Sequence, residues 1–224
     1  MNNDLINCLI LVNGDIDEDL LKNFISQNSP RKSFLFISAD GASDTLLKYN
    51  ITPDYIIGDL DSISQKSIRF FNSKGTTVKK IYDQEHNDLD KCINFALKQG
   101  CGNIDILGYG GKRIDHTLNN FSILKKYSKK CNIRFYDGVF ESYFLEKKVS
   151  INYIKNEPVS LIALPNAKGI KTTGLKYKLY NETLSFGNRE GALNLSTSKT
   201  INIEFQSGFL MIVKKHFGHL NFSL

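Results

Sequence analysis

Acidic and glycine-rich loops follow four apolar runs in the first half of the chain. The first two are Ser38-Ala39-Asp40-Gly41 and Gly58-Asp59-Leu60-Asp61. The third extends from Asp83 to Asp90, and the fourth contains Gly110-Gly111-Lys112-Arg113. If each run is a strand of one parallel sheet, the loops meet at its carboxyl edge, where such sheets bind ligands. The pattern therefore predicts one binding site built from four loops.

Asp59 and Asp61 are separated by one residue at the end of an apolar run. In an extended chain such residues point to the same side, so the two carboxylates are expected to converge. Unpaired carboxylates repel each other, and a hard divalent cation relieves this. Magnesium takes one or a few protein carboxylates and completes its shell with water and phosphate. The alternative is an ordinary turn, in which Asp and Ser are common.

The loop before the next helical pattern contains further polar candidates. Asn87 is placed to cap the helix, and Asp90, three residues later, fits either a capping box or a functional role. Asp88 lies one residue into the helix, faces the sheet edge and is the better candidate metal ligand. Gln84 has no comparable structural explanation.

The Gly110-Gly111 pair lets the backbone approach an anion closely, and the following helix presents free N–H groups. Arg113 can form a two-pronged contact with phosphate oxygens. Asp115 has a structural alternative as a helix cap, and His116 as a surface residue of the first turn. The spacing is not that of a P-loop, and no G-x-G-x-x-G dinucleotide motif occurs.

Alternating elements are predicted up to about residue 137. Short apolar runs predict strands, and apolar residues at helical spacing, such as Leu118, Phe121 and Leu124, predict helices between them. Such alternation indicates a mainly parallel sheet covered by helices. The predicted strands are Cys8–Val12, Phe34–Ser38, Tyr55–Gly58, Thr77–Tyr82, Ile104–Gly108 and Ile133–Tyr136, and the helices are Asp17–Ser26, Ala42–Tyr49, Gln65–Ser73, Asp88–Gln99 and His116–Lys129.

Beyond about Ser142 the runs are short, bounded by Gly, Asn, Pro or Ser, and no amphipathic helix is evident. We therefore expect an α/β N-terminal domain with a mainly parallel sheet (1–142), followed by an all-β antiparallel sandwich domain (143–224). The predicted strands are Val149–Ile154, Val159–Ala163, Ile170–Thr172, Lys176–Tyr180, Ala192–Leu195, Ile201–Phe205 and Phe209–Val213.

The net charge of +6 suits an anionic partner, but the basic residues form no stripe interleaved with aromatics. We therefore expect small-molecule ligands and no nucleic acid. The four cysteines lack C-x-x-C spacing and are expected to be reduced, buried thiols. No segment has the length of a membrane span, and the apolar run Leu5–Val12 lacks a preceding cationic region. A cytoplasmic protein with no membrane contact is expected.

The order and spacing of these motifs resemble the thiamine pyrophosphokinases. The resemblance rests on Ile57-Gly58-Asp59-Leu60-Asp61-Ser62 and on Gly110-Gly111-x-Arg113-x-Asp115-His116, with Asp40-Gly41-Ala42 before them and Asp83-Gln84 and Asn87–Lys91 between them. In the second half it continues through Thr172–Tyr177, Leu184–Gly187 and Gly208-Phe209-Leu210. It extends from about Asp40 to Val213.

The resemblance implies transfer of a diphosphate from ATP to the thiamine hydroxyl by attack on the β-phosphorus, with release of AMP. It implies a homodimer with sites between subunits, and magnesium held by Asp59, Asp61 and Asp88, which with Arg113 are the catalytic residues. The nucleotide is assigned to Asp40, Gln84, Gly110, Gly111, Arg113, Asp115 and His116.

Thiamine is assigned to the second domain, where the sequence departs from the family pattern. Asn194 matches the family's Asn, but Leu193 replaces the Ser expected before it. Ser196 and Ser198 belong to an alternative alignment of this loop, and Met211 stands where some relatives have an aromatic residue. Two other functions stay open: a pyrophosphokinase for another hydroxymethyl heterocycle such as a pterin, and a non-catalytic module that binds thiamine or nucleotide.

Overall fold

The computed structural model describes residues 6–28, 34–83 and 85–217 of the chain. It divides into two compact units, one up to Asp137 and the other beginning at Gly138. The functional division into 1–142 and 143–224 stays a prediction.

Six parallel strands form the sheet of the first unit, in the order β4-β3-β2-β1-β5-β6. The order reverses at β1, because β2 to β4 extend the sheet on one side of it and β5 and β6 on the other. Their bounds are β1 Ile6–Leu11, β2 Phe34–Ala39, β3 Tyr55–Gly58, β4 Thr77–Lys80, β5 Cys101–Leu107 and β6 Asn132–Tyr136.

Helices connect these strands, and two of them, α3 and α4, begin with a side-chain cap. The Ser64 side chain accepts a hydrogen bond from the Ser67 N–H at the start of α3, and Asn87 accepts one from Asp90 at the start of α4. The helices are α1 Glu18–Asn28, α2 Ser43–Tyr49, α3 Gln65–Ser73, α4 Asp88–Lys98 and α5 Ile114–Tyr127, with one turn of 3-10 helix at Asp40–Ala42.

The predicted alternation is confirmed, but the buried face predicted for α5 is confirmed only in part, since Leu124 is buried and Leu118 is not. Leu118 is 62% exposed, whereas Asn120, Ile123, Leu124 and Tyr127 are buried. Near the end of α5, Lys126 and Tyr127 donate hydrogen bonds to the buried Asp90. These bonds tie α5 to α4 through a polar contact that apolar spacing does not reveal. Asp90 thus anchors two helices.

The second unit is antiparallel. Strands β7, β13, β9, β12 and β8 are neighbours in that order, and β10 and β11 also pair with β9. Alternate residues of β9 and β13, among them Leu161, Ala163, Leu210 and Ile212, enter its core. The strands are β7 Phe140–Phe144, β8 Lys148–Asn152, β9 Pro158–Thr173, β10 Tyr180–Ser185, β11 Gly191–Leu195, β12 Thr200–Glu204 and β13 Ser207–Lys215.

Three predicted segments of this unit differ from the structure. Val159–Ala163 and Ile170–Thr172 are parts of the single strand β9, because Pro165 lies where the pairing with β13 shifts register and does not end the strand. The predicted strand Lys176–Tyr180 is a loop that leads into β10. Strand β7 was not predicted, nor was β10 apart from its first residue, Tyr180.

The fold class is confirmed: the first unit has a parallel α/β sheet and the second has antiparallel strands. The four cysteines are free. Among the described residues, no helix is both long enough and apolar enough to span a membrane.

Candidate active site

Three carboxylates meet beyond the carboxyl ends of β2 and β3. Asp40, Asp59 and Asp61 each place one oxygen within 4.8 Å of the others. Asp40 is fully buried, whereas Asp59 is partly exposed and Asp61 exposed. We call these three residues the acid cluster.

Asp40 is held in place by close packing. A Cβ atom at Gly58 would lie 2.7 Å from the Asp40 Cγ atom, so the end of β3 leaves room for this carboxylate only because residue 58 is glycine. Both Asp40 carboxylate oxygens are buried and have no hydrogen-bond partner among the described residues. A buried carboxylate in that state is expected to bind a cation or a proton.

Asp59 and Asp61 converge for a different reason than the one predicted. Strand β3 ends at Gly58, and Leu60 has a left-handed backbone with φ of 63°. The Asp61 N–H donates to Asp59 Oδ1 at 3.3 Å, which closes a tight turn. A turn, and not an extended segment, therefore brings the two carboxylates together.

Asp88 lies at the start of α4, beside a buried lysine that the sequence analysis did not single out. Lys91 Nζ lies 3.1 Å from Asp88 Oδ1 and 3.6 Å from Asp59 Oδ2, and its side chain is only 3% exposed. The D-x-x-K spacing from Asp88 to Lys91 was the available signal, because residues three apart face each other on a helix. Lys91 thus joins two of the predicted metal ligands.

The electrostatic environment divides these acids. Burial, followed by the proximity of Asp88, raises the pKa of Asp40 to about 7. Partial burial of Asp59 acts in the same direction, but the hydrogen bonds from the Asp61 N–H and from Lys91 leave its pKa lowered. The site therefore combines two different carboxylates: Asp40 favours its neutral form, and Asp59 favours its ionised form.

Arg113, Asp115 and His116 lie at the start of α5 and are exposed. Arg113 forms a two-pronged ion pair with Asp115, with Nη2 2.5 Å from Oδ2 and Nε 3.1 Å from Oδ1. This pairing lowers the pKa of Asp115 to about 2. Arg113 itself occupies the capping position, so Asp115 is not the helix cap. None of the contacts described joins these residues to the acid cluster.

Asn13-Gly14-Asp15 forms a fifth loop at this edge, which the sequence analysis missed. The Lys112 ammonium donates to Asn13 Oδ1 at 2.8 Å, and the Asp15 N–H donates to Gly110 O at 2.8 Å. A Cβ atom at Gly41 would lie 2.6 Å from Asn13 Nδ2. The loop therefore packs between Gly41, which follows Asp40 of the acid cluster, and the Gly110-Gly111 turn. The sequence feature that could have revealed it is the Asn-Gly step soon after a buried strand.

Two predicted thiamine residues hold backbone turns in the second unit. The Asn194 side chain is buried, where Oδ1 accepts from the Tyr177 N–H at 2.9 Å and Nδ2 donates to the Tyr177 carbonyl at 2.7 Å. Ser196 Oγ donates to the Ile154 carbonyl and accepts from the Glu157 N–H. Both side chains fix neighbouring loops.

Ser198 Oγ closes its own turn with Thr200. Met211 is buried, opposite Phe144 on one neighbouring strand and Ile162 on the other. Asn194 lies on β11, and Ser196 and Ser198 lie in the segment between β11 and β12. Met211 lies on a separate strand, β13. Gln84 lies outside the described residues.

Comparison with known proteins agrees with the order of these features. A model of the thiamin pyrophosphokinase catalytic domain matches residues 27–136. A model of the thiamin pyrophosphokinase vitamin B1 binding domain matches residues 146–210. The first match contains the acid cluster and Lys91, and the second contains Asn194, Ser196 and Ser198.

Individual relatives cover most of the chain. Thiamine pyrophosphokinase of Bacillus subtilis is 29% identical over 190 residues, 80% of this chain and 86% of that protein. Thiamine pyrophosphokinase 1 of rice is 28% identical over 192 residues, 79% of this chain and 71% of that protein. The crystal structure of the Bacillus subtilis enzyme superposes with a TM-score of 0.76 at 25% identity, over 93% of this chain and 99% of that one. Because two models of one family match in succession and relatives matched over most of their length agree with them, the chain belongs to the thiamin pyrophosphokinase family.

Proposed function

We propose that the chain transfers a diphosphate group from ATP to the hydroxyl of thiamine, giving thiamine diphosphate and AMP. The observation that supports this most directly is the acid cluster, in which Asp40 is buried without a hydrogen-bond partner among the described residues. Binding alone does not require converging carboxylates, whereas phosphoryl-type transfer needs a cation held against the phosphates. The matches to a catalytic domain and a vitamin B1 binding domain support the donor and acceptor assignment.

Magnesium fits the donor set of this site. The cluster offers oxygen ligands only, and Asp40, Asp59, Asp61 and the adjacent Asp88 are the residues that would hold it. Its chemistry, when bound, is to neutralise phosphate charge and so ease attack on the β-phosphorus.

The remaining catalytic work is positioning. A bond forms between the thiamine oxygen and the β-phosphorus, the hydroxyl proton is released to solvent, and the bond from that phosphorus to the bridging oxygen of AMP breaks. Arg113 is exposed and would contact phosphate oxygens by exchanging its pairing with Asp115. The Gly110-Gly111 turn, with Gly111 at φ of 85°, gives the backbone room for the same phosphates. Gln84 and His116 complete the proposed nucleotide contacts.

Thiamine is proposed to bind the second unit through the loops that Asn194, Ser196 and Ser198 hold, with Met211 as an apolar contact. Asn194 Oδ1 already accepts from the Tyr177 and Leu195 N–H groups, and one Nδ2 hydrogen is used for the Tyr177 carbonyl. One N–H is left for a ligand. Asn194 therefore acts mainly by orienting the Tyr177 loop.

A homodimer with sites between subunits and a cytoplasmic location belong to the same proposal. The two other functions, a pterin pyrophosphokinase and a binding module, are not favoured, because the family matches extend through both units.

The test is AMP release from ATP in the presence of magnesium, with and without thiamine. We expect thiamine-dependent release that falls at least about 100-fold in Asp59→Asn, because loss of a charged metal ligand removes several kcal/mol of transition-state stabilisation. Asp19→Asn, which removes an exposed acid of α1, is the control and should keep full activity.

Three results would count against the proposal. Release supported by a hydroxymethyl pterin but not by thiamine would identify a different acceptor. Ligand binding without any AMP release would indicate a binding module. An Asp59→Asn chain with normal turnover and an unchanged magnesium requirement would overturn the metal site.

A further inference from the structure

The chain between β4 and α4 leads directly into Asp88, the first residue of α4. We call residues 81–87 the β4–α4 loop. Asp88 adjoins the acid cluster: its Oδ1 atom lies 3.1 Å from Lys91 Nζ, and after burial its proximity is the next cause of the raised pKa of Asp40. The direction in which this loop enters the helix therefore decides where the Asp88 carboxylate lies.

His86 stands directly before Asn87, the cap of α4, and its ring lies between two carboxylates. The Nδ1 atom is 2.7 Å from Asp83 Oδ2, which is hydrogen-bond distance, and the Nε2 atom is 3.8 Å from Asp90 Oδ2, which is ion-pair distance. The hydrogen bond with His86 is the main cause of the lowered pKa of Asp83. Both ring nitrogens therefore face acids of the chain itself.

Asp90 is a fixed point for this ring. Its carboxylate is buried and accepts hydrogen bonds from Lys126, at 2.6 Å, and from Tyr127, both near the end of α5. Its backbone N–H donates to Asn87 Oδ1 at 2.9 Å. Because α4 and α5 together hold Asp90, a side chain that contacts this carboxylate is anchored to two helices at once.

Asp83 is the second point that the ring contacts. Its Oδ1 atom accepts a hydrogen bond from the Glu85 N–H at 2.9 Å, which closes a turn at residues 83–85. His86 thus joins this turn to the first turn of α4. In many helices an apolar residue directly before the cap packs onto the first turns and fixes the angle at which the chain enters. Here an imidazole occupies that position and acts through polar contacts.

We propose that His86 is a positioning residue, whose ring spans Asp83 and Asp90 and so fixes the direction in which the β4–α4 loop brings Asp88 to the acid cluster. The inference rests on the proposed function, because Asp88 is one of the carboxylates proposed to hold magnesium against the phosphates of ATP. A change at His86 should therefore affect the nucleotide donor and leave thiamine, whose proposed site lies in the second unit, almost unaffected.

The first test compares His86→Ala with the wild type. A hydrogen bond to a charged group is worth about tenfold in an equilibrium constant, so the KM for ATP should rise about tenfold and the KM for thiamine should change less than about twofold. Calorimetry with magnesium and a non-hydrolysable ATP analogue should show the same loss of affinity in the absence of turnover. Glu85→Ala, an exposed neighbour whose side chain takes no part in these contacts, is the control and should match the wild type.

Two further substitutions separate the polar contacts from simple packing. His86→Asn places an amide nitrogen close to the position of Nδ1, where it can donate to Asp83, so the affinity for the analogue should return to within about threefold of the wild type. His86→Phe keeps a ring of similar size without any nitrogen and should be as weak as His86→Ala.

A double-mutant cycle tests the partner. Asp83→Ala and His86→Ala remove the same contact, so the double variant should bind the analogue about tenfold more weakly than the wild type, and not about 100-fold. Wild-type affinity in His86→Ala, recovery in His86→Phe but not in His86→Asn, equal effects on ATP and thiamine, or a fully additive cycle would each overturn the inference. If the wild type releases no AMP with thiamine, the proposed function fails, and the calorimetric comparison still decides the role of His86.

Discussion

Asp40 is the most deeply buried acid among the described residues. It is fully buried beside Gly58, and its two oxygens have no hydrogen-bond partner among the described residues. An ionised carboxylate in such a place destabilises the fold unless a cation neutralises it. The same property that makes Asp40 a suitable ligand thus makes the metal-free chain sensitive to pH.

Asp40→Asn should stabilise the metal-free chain at neutral pH. The folded pKa of Asp40 is about 7, above its ordinary value of 3.8, so the folded chain binds the proton more tightly between these pH values. Stability of the wild type therefore falls as pH rises from about 4 to 7 through this group. Each pKa unit corresponds to about 1.4 kcal/mol, so the variant should gain a few kcal/mol relative to the wild type above pH 7 and almost none at pH 4.

Urea unfolding with a chelator present, at pH 4 to 8, measures this difference. A difference between wild type and variant that does not change with pH would contradict the role of burial. With magnesium present the order should reverse, because the ionised carboxylate then has its partner.

Lys91→Met should weaken both the fold and the site. Methionine keeps the apolar stem but leaves Asp88 and Asp59 without the ammonium between them. Removing one partner of a fully buried ion pair costs about 3–5 kcal/mol, and we expect roughly 1–3 here because both acids are about a third or more exposed. Turnover should fall as well, because the two ligands lose their common anchor.

Thermal unfolding with and without magnesium checks this role. The metal-free variant should melt lower, and magnesium should raise its midpoint more than that of the wild type, since the cation then supplies the missing charge. Lys98→Met, an exposed lysine later in the same helix, is the control. A Lys91→Met chain indistinguishable from this control would show that the ammonium is dispensable.

At the scale of elements, the loop between β9 and β10 depends on a residue of β11. Asn194 lies in a bulged part of β11, directly after Leu193, which has φ of 59° and is 87% exposed. Its amide binds both polar backbone groups of Tyr177. The loop in front of β10 is therefore positioned by a side chain from a different strand.

Asn194→Ala should raise the KM for thiamine well above any change in the KM for ATP. The substitution leaves the Tyr177 backbone groups without partners, at a cost of about 1–3 kcal/mol, or up to about 100-fold if the loop contacts thiamine. Ser198→Ala should be milder, because the hydrogen bonds of Ser198 to other described residues lie within its own turn. Steady-state kinetics on both variants decide: equal effects on the two substrates indicate a folding defect, and a stronger Ser198 effect means that the alignment of this loop is shifted.

The features of the fold and site that could be predicted from the sequence were those determined by the local spacing of apolar and polar residues. Alternating strands and helices placed Asp59, Asp61 and Asp88 at one sheet edge, because the carboxyl ends of parallel strands must meet there. The buried state of Lys91 was not predictable, since a lysine in a first helical turn is usually solvated. The continuity of β9 through Pro165 was also hidden, because a bulge within a long strand has the same local sequence as a turn.

At the scale of the whole molecule, the proposed homodimer makes a direct prediction. The chain should sediment at twice its mass of 25.4 kDa. If each site uses the first unit of one subunit and the second unit of another, two variants with lesions in different units should complement each other. In an equal mixture of Asp59→Asn and Asn194→Ala chains, half of the dimers are hybrids, and each hybrid has one intact site and one site with both lesions. About a quarter of all sites should therefore be intact, and activity at low thiamine should rise to about a quarter of the wild-type value.

Sedimentation velocity gives the assembly state, and exchange of the two purified variants gives the complementation. A monomer, or a dimer whose mixtures never exceed the activity of the separate variants, would show that each site lies within one chain.

Strand β9 also sets an order of events during synthesis on the ribosome. All six strands of the first unit are complete once residue 136 has emerged, so its sheet can form while the rest is still being translated. Strand β9, in contrast, pairs with β10, β11, β12 and β13, and the last of these ends at Lys215. Its partners therefore arrive one after another over some forty residues, and the second unit cannot close its core until translation is nearly finished. The nascent chain thus presents a folded first unit while its second unit is still exposed to chaperones and proteases.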